Sequence, residues 1–303
     1  MSQDSPNNQG YLPGAPKKQT AGPAKNSPTE IRPETRQRIA RQIQGLCGIV
    51  LGPDKDYLLI HRVIPLAHHA GCSTLDQLCD RLDSQANPLL REALIEAVTT
   101  HETSFFRDAH PWDALKSTII PGLLKSPDRS GKLRIWSAAC SSGQEAYSLA
   151  MVVTEVCEAL GLDPQTEVSI LGTDISERML AIARTGVFSA AEVKRGMPPQ
   201  RQQKFLTPCD KGFEVSPKLQ SLIRWQRGNL LDNLMGLGRF DLILCRNLLI
   251  YLDEPTRKRL VEALVSRLEP HGLLLVGAAE SLFGLTPKVI QKTIGSSLVY
   301  QGV

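Results

Sequence analysis

The sequence predicts an α/β protein in which a small all-helical domain precedes a mostly parallel sheet flanked by helices. Two patterns support this class: apolar residues recur at helical spacing over residues 34–107, and short apolar runs then alternate with helical patterns. A third observation is that residues 187–227 are longer and more polar than a connector, which indicates an inserted small subdomain. We expect the second domain to span residues 108–303.

The first 33 residues differ in composition from the rest of the chain, because they combine six prolines and three glycines with few apolar side chains. The prolines are Pro6, Pro13, Pro16, Pro23, Pro28 and Pro33. Such a segment cannot bury enough apolar surface to offset the entropy lost on ordering. We therefore predict a disordered tail over residues 1–33.

Helical periodicity defines the domain at residues 34–107. Its apolar positions recur three or four residues apart, namely Ile39, Ile43, Leu46 and Val50, then Leu58, Leu59 and Val63, then Leu75, Leu78 and Leu82, then Leu90, Leu94 and Val98. Breaks are expected at Gly52-Pro53 and Asn87-Pro88. Pro65 either kinks its helix or starts a new one.

The second domain alternates strands with helices. Predicted strands cover Leu133–Ala139, Val168–Thr173, Phe240–Cys245 and Gly272–Ala279. Predicted helices cover Gly143–Leu160, Ser176–Arg184 and Glu254–Leu268, and a hairpin is expected over Val289–Gln301 around Gly295.

Composition and charge exclude several classes of protein. The longest apolar run, Leu273–Ala279, is far too short to cross a bilayer, and the polar start Met1–Gly10 is not a secretory signal, so we expect a cytoplasmic protein without membrane insertion. The net charge is only +4, and half of this excess lies in the tail, so nucleic-acid binding is not indicated. The spacing of the histidines and cysteines near residues 68–79 matches no common zinc site, and we expect no metal.

Ligands of an open α/β sheet bind beyond the carboxyl ends of its strands, where the strand order reverses. The first strand ends in small residues, Ala138 to Gly143, which let the backbone approach a ligand closely but would equally suit a tight turn. The segment is not GxGxxG, which disfavours a nicotinamide dinucleotide.

Asp174 follows the second strand, where a carboxylate can accept hydrogen bonds from both ribose hydroxyls of a nucleoside. The alternative is a turn that caps the next helix. Because no lysine or arginine neighbours Asp174 and no phosphate-binding loop is present, the pattern favours a nucleoside cofactor without phosphates, namely S-adenosylmethionine.

The densest cluster of functional residue types is His101-Glu102-Thr103-Ser104-Phe105-Phe106-Arg107-Asp108. This segment resembles the Asn-Glu-Thr-x-Phe-Phe-Arg segment of the CheR family, the chemotaxis receptor glutamate methyltransferases. Three further blocks agree in order and spacing, at residues 135–148, 172–176 and 240–251, and the resemblance extends over residues 36–303.

The resemblance implies a helical N-terminal domain and an S-adenosylmethionine-dependent, Rossmann-like methyltransferase domain with an inserted β-subdomain at 187–227. By position it implies cofactor contacts from His101, Thr103, Arg107, Glu145, Asp174, Asn229, Leu230, Arg246 and Asn247. Three departures stand out: His101 replaces the usual Asn, Gln144 replaces a common Glu, and the helix from Tyr57 has fewer arginines than the family's receptor-facing surface.

The implied reaction is methyl ester formation on receptor glutamates. It needs no general base, because a glutamate is ionised at neutral pH. Arg107 can orient a carboxylate and Tyr251 can donate one hydrogen bond to it, so both are candidate catalytic residues. Alternatively, Arg107 pairs with Asp108 and Tyr251 caps the core.

The implied partners are the cytoplasmic domains of chemotaxis receptors, and we expect a monomer. Two other functions stay open: a methyltransferase acting on a different protein carboxylate, and a signalling adaptor that binds the cofactor without turnover. Some members of the family add a receptor's C-terminal peptide as a strand to the inserted subdomain. The corresponding loop at 205–225 looks shorter here, so we predict action by direct encounter, without a tether.

Overall fold

The computed structural model describes residues 31–84, 87–127, 129 and 131–303. Residues 1–30 of the predicted tail lie outside the described residues, and the first helix begins at Pro33. The helices of the first domain are α1 (Pro33–Cys47), α2 (Asp56–Leu58), α3 (Ile64–His69), α4 (Leu75–Asp83) and α5 (Pro88–Val98).

Local signals explain where these helices begin and end. Gly48 ends α1 with a φ of 76°, a conformation that glycine adopts without steric cost. The side chain of Thr74 caps α4, and that of Asn87 accepts a hydrogen bond from Leu90 N at 3.0 Å to cap α5. A π-helical turn, Leu59–Val63, joins α2 to α3, and Pro65 follows this turn at the start of α3.

The second domain begins with α6 (Ala109–Ala114), a π-helical turn at Leu115–Ile119 and α7 (Ile120–Leu124). Its seven-stranded main sheet has the order β6-β2-β1-β7-β8-β10-β9. The strands are β1 (Leu133–Ala138), β2 (Val168–Asp174), β6 (Ile223–Arg227), β7 (Phe240–Cys245), β8 (Leu268–Val276), β9 (Val289–Ile294) and β10 (Ser297–Gly302). The intervening helices are α8 (Gln144–Ala159), α9 (Pro164–Glu167), α10 (Glu177–Thr185) and α14 (Glu254–Val265).

This architecture confirms the predicted fold class. Strands β6, β2, β1, β7 and β8 run parallel, and β9 and β10 form the predicted hairpin, in which Gly295 has a φ of 59°. Apolar layers cover both faces of the sheet, one containing α8 and the other α14. Within the described part of the chain, no helix is both long and apolar enough to cross a membrane.

The inserted segment is shorter than predicted. It contains a three-stranded antiparallel sheet, ordered β3-β5-β4, with β3 at Val187–Phe188, β4 at Leu206–Cys209 and β5 at Gly212–Val215. The helices α11 (Ala190–Lys194), α12 (Pro199–Phe205) and α13 (Pro217–Gln220) accompany it. The end of the predicted insert, residues 223–227, is strand β6, which pairs with β2 at the edge of the main sheet.

Candidate active site

A cleft that is open to solvent lies where the strand order reverses between β1 and β7. Its walls come from the loops after β1 and β7 and from the segment that joins α5 to α6. Six of the predicted site residues line it, namely Thr103, Arg107, Glu145, Arg246, Asn247 and Tyr251. The fold thus brings together residues that are up to 148 positions apart in the chain (251 minus 103).

A second, largely apolar cavity adjoins the cleft. It is lined by Asp174, Asn229 and Leu230, together with the side chains of Leu248 and Leu252. Both cavities are bordered by the same four residues, Ile49, Thr99, Ala139 and Leu248. The apolar cavity therefore presents the carboxylate of Asp174, and the adjoining cleft presents that of Glu145.

Asp174 ends β2 as a buried carboxylate, 7% exposed. Its Oδ2 accepts a hydrogen bond from Ser141 N at 2.7 Å, and its Oδ1 accepts one from Ser176 N at 2.9 Å. Burial raises the pKa of Asp174, although these two N–H donors and the nearby His101 oppose the rise. Each oxygen keeps a further lone pair, so the group can still accept hydrogen bonds from a ribose diol.

Glu145 and Arg246 form the polar floor of the cleft. The Arg246 side chain is only 2% exposed, and its Nη1 lies 3.2 Å from Glu145 Oε2. Its Nη2 donates to Asp108 Oδ2 at 2.8 Å and to Arg107 O at 2.9 Å. Ser137 Oγ donates to the other oxygen of Glu145 at 2.7 Å. The charge of Arg246 is therefore already balanced inside the protein.

Arg107 differs from Arg246 in its surroundings. Its Nη1 donates to the backbone oxygen of Glu102 at 3.1 Å, and no carboxylate of the described residues lies within 4.0 Å of its guanidinium. The alternative in which Arg107 pairs with Asp108 does not match this arrangement, because Asp108 binds Arg246 instead. Arg107 lies between two residues with left-handed backbone, Phe106 at φ 48° and Asp108 at φ 56°, a strain that is common at functional sites.

Tyr251 lies at the end of a short 3₁₀ turn, Leu249–Tyr251, that follows β7. The residue is half-buried and borders both the cleft and the core of the helical domain. Its backbone oxygen accepts a hydrogen bond from Val50 N at 3.0 Å, and Lys55 Nζ lies 5.6 Å from the centre of its ring. Tyr251 therefore lies at the junction of the two domains.

Two predicted cofactor residues direct their side chains elsewhere. The ring of His101 lies outside the residues lining either cavity, with Nε2 3.0 Å from Thr99 Oγ1 and 3.3 Å from Glu96 Oε2. Burial lowers the pKa of His101. Asn229 lines the apolar cavity but uses its Nδ2 to donate to Leu46 O at 2.9 Å. Its side chain thus binds the helical domain.

The small sheet has two edge strands, β3 and β4, of which β4 lies in the loop considered for a tether. Ser216 N donates to Phe205 O at 2.9 Å, so alternation along an antiparallel pair directs the backbone groups of Thr207 toward β5 as well. Leu206 and Pro208 then direct theirs toward the free edge, where Pro208 has no N–H to donate. Few donors remain on this edge for an added strand.

Three residues that the sequence did not single out also shape the cleft. Ile49, which bridges to Leu252, and Thr99 line both cavities from the helical side. Glu280, a buried carboxylate after β8, accepts a hydrogen bond from Asn247 N at 2.9 Å. No local pattern marks them, because each acts through a contact between distant segments.

The two compartments suit S-adenosylmethionine, because an apolar cavity that can take a base lies beside carboxylates that can accept hydrogen bonds. No group of His, Cys, Asp and Glu able to hold a metal occurs among the described residues. A Rossmann-like sheet with this site at its switch point defines an S-adenosylmethionine-dependent methyltransferase. The chain belongs to the CheR family: residues 101–296 match the family model for the CheR methyltransferase SAM binding domain, and residues 34–99 match that for the CheR methyltransferase all-alpha domain.

Curated relatives from several bacteria resemble most of the chain. Chemotaxis protein methyltransferase Cher2 of Pseudomonas putida is 35% identical over 86% of this chain and 94% of its own. Chemotaxis protein methyltransferase 1 of Vibrio cholerae is 37% identical over the same shares. A TehB-like methyltransferase structure from Corynebacterium glutamicum aligns more loosely, at 15% identity and a TM-score of 0.32 over 64% of this chain and 93% of that one.

Proposed function

We propose that this protein methylates glutamate side chains in the cytoplasmic domains of chemotaxis receptors, forming glutamyl methyl esters with S-adenosylmethionine as the donor. The names of the relatives support the receptor as the substrate. One structural observation carries the proposal for a carboxylate: Arg107 presents a guanidinium in the cleft without a carboxylate partner among the described residues.

The contrast between the two arginines supports this assignment. Arg246 is buried and balanced by Asp108 and Glu145, so it holds the walls of the cleft. Arg107 is half-buried and free of such partners, so its fork of N–H donors is available to a carboxylate that enters from solvent. Arg246 therefore stabilises the walls of the cleft, whereas Arg107 is available to bind a substrate carboxylate.

The remaining residues fit a reaction that consumes charge. The bound cofactor supplies a methyl group on a sulfonium centre, with a neutral thioether as the leaving group. Asp174, Glu145 and the backbone near Arg246 and Asn247 would hold that group, and Arg107 would orient the carboxylate. Water stabilises separated opposite charges, so the chain must exclude it from the cleft, to which the apolar side chains of Ile49 and Leu248 contribute.

Tyr251 also lines the cleft and can donate one hydrogen bond to the carboxylate. A single neutral donor orients the carboxylate and leaves most of its negative charge available for attack. No proton has to move, because the glutamate is already ionised at neutral pH. A free Arg107 and a phenol at the cleft support turnover over an adaptor that only binds the cofactor.

The test is incubation with methyl-labelled cofactor and receptor cytoplasmic fragments, followed by release of base-labile label. Arg107→Ala and Tyr251→Phe should lower methyl transfer by about tenfold or more, as expected for the loss of one charge-assisted hydrogen bond, with little change in unfolding temperature. Arg184→Ala is the control, because Arg184 pairs with Glu177 and neither residue lines the cleft. Label on another acceptor, or transfer by Tyr251→Phe at the parent rate, would contradict the substrate or the role of the phenol.

A further inference from the structure

Glu280 is a buried carboxylate, 7% exposed, on the segment that follows β8. Its Oε2 accepts hydrogen bonds from Asn247 N at 2.9 Å and Gly277 N at 2.6 Å, and its Oε1 accepts a longer one from Ile250 N at 3.4 Å. Among the residues that the structure describes, no basic side chain lies within 4.0 Å of it. Backbone N–H groups are thus its partners.

These bonds replace sheet pairing at the point where it stops. The last paired residues of β7 and β8 are Cys245 and Val276. Beyond them the two strands separate, and Asn247 adopts a left-handed φ of 60°, a conformation that asparagine tolerates better than most residues. Glu280 joins the two diverging segments by binding Asn247 after β7 and Gly277 after β8.

The packing around this carboxylate is close. A Cβ at Gly277 would lie 2.9 Å from Asn247 N, 2.8 Å from Asn247 Nδ2 and 2.8 Å from Glu280 Oε2. Real Cβ atoms do not approach other atoms this closely. The cluster therefore has room only for a glycine at position 277.

The turn that Glu280 holds carries three residues of the cleft, namely Asn247, Leu248 and Tyr251. On its other side the same turn is held by the helical domain, through the bond from Val50 N to Tyr251 O. Glu280 itself is not among the residues that line the cleft. Its influence on the cleft must therefore pass through the backbone of the turn.

We propose that Glu280 is a positioning residue for methyl transfer, which fixes the Asn247–Tyr251 turn and through it the cofactor and the phenol of Tyr251. This inference rests on the proposed function for its turnover readout. An amide oxygen at this position can keep the bonds from Asn247 N and Gly277 N, but the N–H₂ group then faces Ile250 N. The turn therefore loses one bond and the negative charge that strengthened the other two, and it must relax.

The experiment compares Glu280→Gln with Asp253→Asn. Asp253 lies two residues after Tyr251 and caps α14 by accepting from Thr256 N at 3.0 Å, so its amide variant removes a carboxylate from the same region without touching the turn's N–H groups. Glu280→Gln should lower kcat by about tenfold or more while the KM for receptor fragments changes little. The control should keep kcat within about twofold. Equal kcat values in the two variants would overturn the proposal.

Two further measurements keep the test decisive. Gly277→Ala should lower kcat in the same way, because its Cβ displaces Asn247 from the β8 side, and normal turnover in this variant would contradict the proposal even if Glu280→Gln does not fold. If the wild-type protein transfers no methyl group to receptor fragments, the proposed function fails. Glu280 is then judged by titration with S-adenosylhomocysteine: weaker binding in Glu280→Gln but not in Asp253→Asn supports positioning, and equal affinities refute it.

Discussion

Substitution of Asp174 by asparagine isolates the contribution of one negative charge to cofactor binding. The variant keeps one acceptor oxygen but presents an N–H₂ group where the second oxygen was, facing Ser141 N or Ser176 N. A hydrogen bond to a charged group contributes about 1.5 to 3 kcal/mol, so loss of one such bond to the ribose should weaken S-adenosylhomocysteine binding roughly 10- to 150-fold. Calorimetric titration measures this directly.

The chain supplies a matched control in Asp163. Asp163 Oδ1 accepts from Gln165 N at 3.0 Å, the same two-residue turn that Asp174 makes with Ser176 N at 2.9 Å. Asp163→Asn therefore loses the same local hydrogen bond but lies outside the residues that line both cavities. If the two variants bind S-adenosylhomocysteine with the same affinity, Asp174 does not bind the ribose.

The raised pKa of Asp174 adds a pH dependence with a definite sign. Because burial raises this pKa, the carboxylate takes up a proton at a higher pH than an exposed aspartate does. Cofactor affinity should therefore fall on acidification, beginning above the range of an ordinary aspartate, and Asp174→Asn should remove this dependence. The charged form also costs folding free energy at neutral pH, and this cost disappears as the pH falls through the folded-state pKa.

Two predictions concern other parts of the molecule. Arg246→Met should lower the free energy of unfolding, measured in urea, by about 3 to 5 kcal/mol, because it leaves Asp108 and Glu145 without their buried partner. The control is Arg134→Met, whose more exposed guanidinium donates to Leu237 O at 2.9 Å and which should show a much smaller change. Equal changes in the two variants would refute the reasoning. The C-terminal peptides of the protein's own receptors should not bind at micromolar concentrations, because the β4 edge includes Pro208; micromolar binding that is lost when residues 205–225 are altered would show that a tether is used.

The sequence predicted the buried strands of the main sheet well, because parallel strands covered on both faces are continuous apolar runs. It missed β6 because this strand lacks such a run. In Ile223–Arg227 only Ile223 is buried, so this edge strand alternates polar and apolar residues and has no apolar run. Its place in the main sheet depends on pairing with β2, which no local pattern reveals.

The site was predictable where a residue's position on its own strand or loop decides its surroundings. Asp174 ends β2 and Glu145 begins α8, so both reach the strand ends by local geometry. The side chain of Asn229 was not predictable, because its partner, Leu46 O, lies in the other domain. The same holds for Glu280, whose bonds exist only after β7 and β8 have paired.

Left-handed backbone and a buried polar side chain occur together at three positions in and around this cleft. Phe106, with a φ of 48°, is held by Ser148, whose Oγ accepts from its N–H at 3.0 Å. Ser141 at φ 50° is held by Asp174 at 2.7 Å, and Asn247 at φ 60° by Glu280 at 2.9 Å. In each case the side chain comes from a different element than the strained residue, so the local strain is offset by a long-range hydrogen bond. The backbone geometry of the cleft therefore depends on residues that need not touch a substrate. Substitutions at Ser148 or Glu280 should affect turnover more than their distance from the cleft suggests.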